Sequence, residues 1–298
     1  MRALAADPTL LSVMEPDNEV RSAPAIWAKR RSGRYPVLRP GDRDDRLASL
    51  WSWVMDGAPQ DARLRATDLM LRAVRPPENR RYYRGGFAPL MRLAGMVGAR
   101  PDHRTADVAP GGRVFVKTVY MPLALEWLTS RFDADVLVLF RHPGNVLASW
   151  ISLDLNDRYV RLDQEPTIRR LVAAGELPPP GPDPFERLVW QVGVLDLALE
   201  RSLERQPTWV RRTHEELCVE PVARFRSLYE ELGLEWNPRA EDYLISNDRP
   251  GEGFPTQRVS ADQADGWKHR LDATQIDTMR RVLAQFPLTT WDPDEFTP

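Results

Sequence analysis

The stretch of the sequence that is most informative about chemistry covers residues 140–150, FRHPGNVLASW. Arg141 falls at the carboxyl end of an apolar run, and Ser149 lies about a turn and a half along the helix expected after Pro143. A guanidinium, a hydroxyl and the N–H groups at the start of a helix together make a compact phosphate site. A loop-capping arginine and a serine on a helix face would show the same spacing, so spacing alone leaves both interpretations open.

Two further charged residues accompany short apolar segments. Glu15 follows the apolar run at 10–14, a pattern typical of a buried strand that ends in a polar cluster. A carboxylate at Glu15 can cap the next element. Lys117 lies within an apolar strand, where an ammonium is costly unless it is paired or directed at a ligand. An ion pair with Glu15 or Glu19 is the alternative to a contact with a ligand.

The composition limits the class of protein. The 298 residues are 42% hydrophobic and 28% charged, which is enough apolar material for a buried core. The 41 basic and 43 acidic residues nearly balance, so a nucleic-acid-binding protein is not expected and any anion site must be local. One cysteine, Cys218, excludes a disulfide framework, and four histidines without ligand spacing predict no metal site.

No run approaches the ~20 apolar residues of a membrane span, and residues 1–14 lack the pattern of a signal peptide. The sequence therefore predicts a cytoplasmic protein without a transmembrane segment. Proline is in excess, with 27 residues, and this predicts many rigid loops and short connections.

Apolar periodicity predicts the elements that must position these residues. The predicted strands cover 10–14, 113–120, 135–140 and 209–211, and the predicted helices cover 46–56, 61–74, 123–132, 145–153, 185–205, 222–232 and 272–286. Strand, helix, strand, helix is typical of a parallel sheet with right-handed crossovers, whose binding sites lie beyond the carboxyl ends of the strands. Because there is no internal repeat and no clear linker, a single α/β domain over 1–298 is expected.

Four segments resemble one enzyme family. RHPGNVLASW at 141–150 resembles the 3′-phosphate-binding motif of sulfotransferases that use 3′-phosphoadenosine 5′-phosphosulfate (PAPS), with serine eight residues after arginine. MEPDNE at 14–19 is similar to the glutamate-proline segment of bacterial and carbohydrate sulfotransferases. THEELCVEP at 213–221 resembles the family's arginine-tyrosine-glutamate-aspartate-leucine segment, and GWK at 266–268 resembles its C-terminal tryptophan-lysine element. The resemblance runs from about residue 2 to residue 286.

The resemblance implies a three-layer α/β/α fold with a central parallel sheet, similar to that of P-loop kinases. Substrate choice would lie in variable loops near 20–45, 75–112 and 155–183. The family's phosphosulfate loop, which follows its first strand, has no counterpart here, and residues 1–8 look like the helix after that loop. We therefore expect that the first strand is missing and that the chain starts roughly 25 to 40 residues late.

The resemblance also implies a role for each site residue. Glu15 matches the family's general base, a role that suits a carboxylate when partial burial raises its pKa, and Glu19 is the other candidate base. Lys117 would contact the transferring group. Arg141 and Ser149 would hold the 3′-phosphate. The other residues that the resemblance assigns to the donor site are Arg258 as a third phosphate contact, His214 in place of an adenine-contacting tyrosine, and Trp267 and Lys268 beside the loop that completes the site. Arg258 could equally be a solvated loop charge, and His214 a surface histidine.

The expected activity is transfer of a sulfuryl group from PAPS to a hydroxyl of a small molecule or carbohydrate, which releases adenosine 3′,5′-bisphosphate. One alternative is a non-catalytic relative that binds adenosine 3′,5′-bisphosphate or a partner. A P-loop phosphotransferase of related fold is a third possibility, against which the sequence offers no evident Mg²⁺ carboxylate cluster. The sequence does not indicate the acceptor or the oligomeric state.

Overall fold

The structure is a computed structural model, and it describes residues 2–19, 23–56, 113–153, 155, 161–249 and 259–291. These residues form two compact units, Met1–Phe132 and Asp133–Pro298. Helices and strands are mixed and the strand pairs are parallel, so the α/β class is confirmed. The single domain stays a prediction, and the predicted helix over 61–74 and loop over 75–112 lie outside the described residues.

The first unit contains two parallel strands that place Glu15 and Lys117 side by side. In chain order its elements are α1 (Arg2–Ala6), β1 (Leu10–Met14), α2 (Ala23–Ala28), α3 (Asp45–Asp56), β2 (Arg113–Lys117) and α4 (Leu125–Thr129). Met14 pairs with Lys117 at the end of the β1–β2 register. Glu15 therefore begins the turn that leaves the sheet at the position where β2 ends.

Helix α3 supplies much of the core of the first unit. Leu47, Leu50, Trp51 and Val54 recur at helical spacing and are fully buried, as the sequence predicts for 46–56. They pack in one apolar cluster that also contains residues of β1 and α4.

The prediction of a loop over 20–45 is wrong for Ala23–Ala28, which forms α2. Proline is tolerated in the first turn of a helix, so Pro24 does not prevent it. Ala25 and Ala28 are buried in the same apolar cluster as α3, and this burial favours the helix.

The second unit contains the other parallel pair. Its elements are β3 (Leu137–Phe140), α5 (Pro143–Ser152), α6 (Pro166–Ala173), α7 (Pro184–Arg205), β4 (Val210–Thr213), α8 (His214–Cys218), α9 (Pro221–Glu231), α10 (Pro238–Asn247) and α11 (Ala273–Leu283). Phe140 of β3 pairs with Thr213 of β4. Arg141 and His214 therefore follow the carboxyl ends of adjacent strands, where ligands bind in parallel sheets.

Proline begins many of the helices in the second unit, and this accounts for part of the proline excess. Helices α5, α6, α7, α9 and α10 each start with proline, whose missing N–H costs nothing in the first turn. Helix α6 shows that the predicted loop over 155–183 is wrong for Pro166–Ala173. There, Glu165 accepts a hydrogen bond from the Ile168 N–H at 2.8 Å, and the Ile168 side chain is buried.

Each sheet has two strands among the described residues. The long helix α7, predicted over 185–205, is confirmed as Pro184–Arg205, and its middle, Leu188–Leu197, is buried on all sides. In the part of the chain that the structure describes, no helix is both long enough and apolar enough to cross a membrane.

Candidate functional site

Arg141 is a cation without a partner among the described residues. It is the first residue after β3, and its guanidinium forms no hydrogen bond or ion pair with any residue that the structure describes. Its Nε atom is buried, and burial lowers the pKa of the side chain. Since an unpaired charge that is partly buried is costly, Arg141 is a candidate for binding an anion.

The N–H groups at the start of α5 are already engaged. The Gly144 N–H donates to Nδ1 of His142 at 3.1 Å, and the Asn145 N–H donates to the His142 carbonyl at 2.8 Å. The helix start that the sequence offers as a phosphate donor is therefore capped by His142. Of the groups predicted to donate hydrogen bonds to a phosphate, the Arg141 guanidinium and the Ser149 hydroxyl remain.

Ser149 lies on α5 and is partly buried. Its hydroxyl forms no hydrogen bond with a described residue. Ser152, on the same helix, differs because its Oγ donates to the Ala148 carbonyl at 2.7 Å. The Ser149 hydroxyl is thus not consumed by bonding back to its own helix.

Glu215, which the sequence analysis missed, places a carboxylate against the start of α5. Its Oε1 accepts hydrogen bonds from the His142 N–H and from Nδ2 of Asn145, both at 3.1 Å, while Oε2 is buried without a partner among the described residues. Burial tends to raise the pKa of Glu215, but His214 and the backbone N–H groups outweigh it, so the pKa is lowered. Glu215 is therefore ionised, and its negative charge acts on Arg141 without forming an ion pair.

Asn145 joins α5 to the segment before α11, which is more than the local capping role that its sequence position indicates. The side chain is fully buried, and Nδ2 donates to the carbonyls of Gln263 at 3.1 Å and Ala264 at 2.7 Å. Its Oδ1 accepts a hydrogen bond from Nη2 of Arg270 at 3.3 Å. The only sequence signal for this role is that Asn145 has an amide, which can both donate and accept, at the start of a mostly apolar helix.

Trp267 lies in the interior of the second unit. Its ring stacks on His142 with centroids 4.7 Å apart, and it is 1% exposed. Lys268 is partly exposed, with Nζ 3.4 Å from a carboxylate oxygen of Asp265. The donor contacts implied for Trp267 and Lys268 stay predictions.

His214 and Cys218 form a pair on α8. The His214 ring has Nδ1 3.7 Å from Sγ of Cys218, and the side chain is partly exposed. Burial raises the pKa of the Cys218 thiol to about 11, so the thiol stays protonated at neutral pH. The adenine contact implied for His214 stays a prediction, and Arg258 lies outside the described residues.

Glu15 in the first unit is tied to β2 by both backbone and side chain. Its N–H donates to the Lys117 carbonyl at 2.6 Å, its Oε1 forms an ion pair with Lys117, and its Oε2 accepts from Nδ2 of Asn18 at 2.8 Å. The ion pair with Glu15, one of the alternatives for Lys117 that the sequence allows, is therefore present. Glu15 also has φ of 52°, in the left-handed region that non-glycine residues rarely adopt. Such strained backbone is concentrated at functional sites.

A buried charged cluster continues from Glu15, and the sequence analysis missed it. Asp17 is fully buried, and both of its carboxylate oxygens lie 2.8 Å from the Thr118 hydroxyl. Burial raises the pKa of Asp17 to about 6. Lys29 donates to the Asp17 carbonyl at 3.1 Å and lies 3.5 Å from Glu19. Only three lysines occur in the chain, and two of them are in this cluster, which is the signal that could have identified it.

The sequence-predicted residues thus divide between the units. Glu15 and Lys117 are in contact in the first unit. The second unit holds the others that the structure describes, namely Arg141, Ser149, His214, Trp267 and Lys268. Among the described residues, no group of three or more histidine, cysteine, aspartate or glutamate side chains could hold a metal ion.

No family model matches the chain, and no curated protein or solved structure matches it significantly.

Proposed function

We propose that the protein transfers a sulfuryl group from PAPS to a hydroxyl of a small molecule or carbohydrate, on a three-layer α/β/α fold similar to that of P-loop kinases. The observation that carries the proposal is Arg141, a partly buried guanidinium at the carboxyl end of a parallel strand that has no partner among the described residues. It occurs within the stretch that resembles the family's 3′-phosphate motif, with the uncommitted Ser149 hydroxyl eight residues later.

The residues of the second unit fit the 3′-phosphate of this donor. A guanidinium offers a planar fork of N–H donors that matches two phosphate oxygens, and a serine hydroxyl can donate to a third. Neither side chain must break a described hydrogen bond to do so. When bound, PAPS would supply the activated sulfuryl group.

The residues of the first unit fit the acceptor side of the reaction. Glu15 would take the proton of the acceptor hydroxyl as that oxygen bonds to sulfur, while the bond from sulfur to the bridging phosphate oxygen breaks. Asn18 holds the carboxylate through Oε2, and Lys117 places a positive charge beside it. That charge would stabilise the negative charge that develops on the oxygens during transfer.

Replacing Arg141 with alanine is expected to weaken binding of adenosine 3′,5′-bisphosphate by about 10- to 100-fold, because hydrogen bonds to charged groups contribute ~1.5–3 kcal/mol. Isothermal titration calorimetry measures this directly. Arg280→Ala is the matched control, since Arg280 is exposed in the same unit and pairs with Asp277. Equal binding by the wild type and Arg141→Ala, or none by either, would overturn the assigned donor site.

Replacing Glu215 with glutamine is expected to tighten binding of adenosine 3′,5′-bisphosphate several-fold. The substitution removes a negative charge that acts on Arg141, and the glutamine oxygen can still accept from the His142 N–H. The same titration measures the effect, with Glu230→Gln on the exposed side of α9 as control. Weaker binding would contradict this role and would show that the Glu215 carboxylate supports the phosphate site.

One observation favours the non-catalytic alternative. Both carboxylate oxygens of Glu15 already have protein partners, Lys117 and Asn18, and these donors compete with an acceptor hydroxyl for the carboxylate. Incubation with PAPS and a panel of phenols, alcohols and sugars, followed by mass spectrometry, separates the two functions. Sulfated product that disappears in Glu15→Gln supports transfer, whereas tight binding of adenosine 3′,5′-bisphosphate without any product supports a binding protein.

A further inference from the structure

Asp17 links the turn after β1 to the residue that follows β2. Both of its carboxylate oxygens lie 2.8 Å from the hydroxyl of Thr118, which comes directly after Lys117. A hydroxyl has one hydrogen to donate, and here the carboxylate accepts it, while the hydroxyl oxygen accepts from the Tyr120 N–H at 3.1 Å. Asp17 is 0% exposed, and a hydrogen bond shielded from water is electrostatically stronger than one in solvent.

The main chain of Asp17 is held as well. Nζ of Lys29 donates to the Asp17 carbonyl at 3.1 Å, and Lys29 is 3% exposed. The Lys29 ammonium also lies 4.4 Å from the centre of the Tyr120 ring, whose face attracts a cation. The turn that contains Asp17 therefore cannot shift without breaking buried contacts.

The proposed general base lies beside this link. Glu15 is separated from Asp17 by Pro16 alone, and its N–H donates to the carbonyl of Lys117, the residue before Thr118. The left-handed φ of Glu15 is unfavourable for a residue with a Cβ atom, and such a conformation persists only where the surrounding structure over-determines it. The hydrogen bond between Asp17 and Thr118 is a restraint of this kind. Without it, the backbone at Glu15 can relax and its carboxylate can move away from Lys117.

We propose that Asp17 and Thr118 are positioning residues for the reaction, because their hydrogen bond holds the Glu15 carboxylate against Lys117. The inference rests on the proposed function, in which Glu15 takes the proton of the acceptor hydroxyl. Neither Asp17 nor Thr118 contacts the acceptor in this role, since each acts through the position of Glu15.

The first test reads the contact between Glu15 and Lys117 without any turnover. The chain contains three lysines, so lysine labelled with ¹³C at Cε gives three side-chain NMR signals, and Lys117→Arg assigns the one that belongs to Lys117. Thr118→Val keeps the shape of the side chain and removes the hydroxyl. We expect it to move the Lys117 signal toward the position that this signal has in Glu15→Gln, and we expect Thr118→Ser to leave the signal in its wild-type position.

The same substitution in a Glu15→Gln background separates positioning from a direct effect on the neighbouring residue. If Thr118 acts through Glu15, Thr118→Val should not move the Lys117 signal further in that background. Thr129→Val is the matched control, because the Thr129 hydroxyl also donates within the first unit, to the Leu125 carbonyl at 3.2 Å. It should leave the Lys117 signal unchanged.

The second test measures sulfuryl transfer to the best acceptor of the panel described above. Misplacing a reacting group by ~1 Å can cost ~100-fold in rate, so Thr118→Val is expected to lower kcat by about tenfold or more. The KM for PAPS should stay unchanged, because the proposed donor groups lie in the second unit. Thr118→Ser should recover most of the loss in kcat, and Thr129→Val should behave as the wild type.

The outcomes distinguish this inference from the proposed function. A lowered unfolding temperature in Thr118→Val, with the Lys117 signal and kcat unchanged, would show that the hydrogen bond serves stability alone. An equal shift of the signal in the wild-type and Glu15→Gln backgrounds would also overturn the proposal. If the wild type forms no sulfated product, the proposed transfer fails, whereas the Lys117 signal still decides whether Thr118 positions Glu15.

Discussion

Replacing Gly144 with alanine is expected to lower the free energy of unfolding by about 2 kcal/mol. A Cβ atom at this position would lie 2.6 Å from the Trp267 ring, closer than real Cβ contacts allow. The ring cannot yield easily, because it is buried and stacks on His142. Overpacking of this kind costs up to ~3 kcal/mol where the neighbour cannot move. The ~1 kcal/mol by which alanine is normally preferred to glycine in a helix offsets part of this cost and leaves a net loss of about 2 kcal/mol.

Urea unfolding measures the effect of Gly144→Ala, and two further variants test its cause. Gly266→Ala is the matched control, because its Cβ would have the Asp262 carbonyl as nearest atom at 3.4 Å, an ordinary contact. In a Trp267→Leu background, which makes room for the methyl group, Gly144→Ala should cost at least ~1 kcal/mol less. The same cost in both backgrounds would show that Trp267 is not the obstacle.

Replacing Asp196 with asparagine is expected to make the protein markedly less sensitive to pH. Asp196 lies on α7, and its Oδ2 is buried without a partner among the described residues. Burial raises its pKa from 3.8 to about 8, and the charges of Glu200 and Glu215 act in the same direction. Between these values the folded protein keeps a proton that the unfolded chain releases. The free energy of unfolding therefore falls as pH rises from about 4 to about 8, by on the order of 5 kcal/mol.

Asparagine has the shape of aspartate but does not titrate. A hydrogen bond that the amide group leaves unmade can lower the free energy of unfolding by up to ~3 kcal/mol, but this cost is the same at every pH. Urea unfolding measures the free energy of unfolding at pH 5 and at pH 8. The value for Asp196→Asn relative to the wild type should be several kcal/mol higher at pH 8 than at pH 5. Asp17, with a pKa near 6, should still contribute a slope between about pH 4 and pH 6. Exposed Asp277→Asn is the control. If Asp196→Asn differs from the wild type by the same free energy at pH 5 and at pH 8, the raised pKa does not belong to Asp196.

The elements that hold the site could largely be predicted from the sequence, because their signals are local. Strand β1 at Leu10–Met14 and helix α7 at Pro184–Arg205 have strong apolar patterns and match their predicted bounds to within one residue. Helix α2 at Ala23–Ala28 was not predictable in the same way. Proline and alanine carry little periodic signal, and the helix depends on burial against α3, which is distant in sequence.

The same difference between local and long-range signals applies to the residues of the site. Arg141 and Ser149 belong to one short motif, so their spacing could be read directly. Asn145 meets Glu215 and Arg270 across 70 and 125 positions of the chain, and no local pattern encodes contacts of that range. The buried state of Asp17 is equally invisible in sequence, because an acidic residue after a strand normally lies in solvent.

Glu15 shows how one position can be subject to two opposing demands. Its left-handed backbone favours glycine, which adopts that conformation freely, whereas an L-residue with a Cβ atom loses roughly 1–2 kcal/mol there. The backbone conformation alone would accordingly favour glycine here, whereas the contacts of the carboxylate with Lys117 and Asn18 favour glutamate. A protein that must take a proton from a hydroxyl has to keep the carboxylate. The identity of residue 15 in a related protein will therefore show which demand has prevailed there.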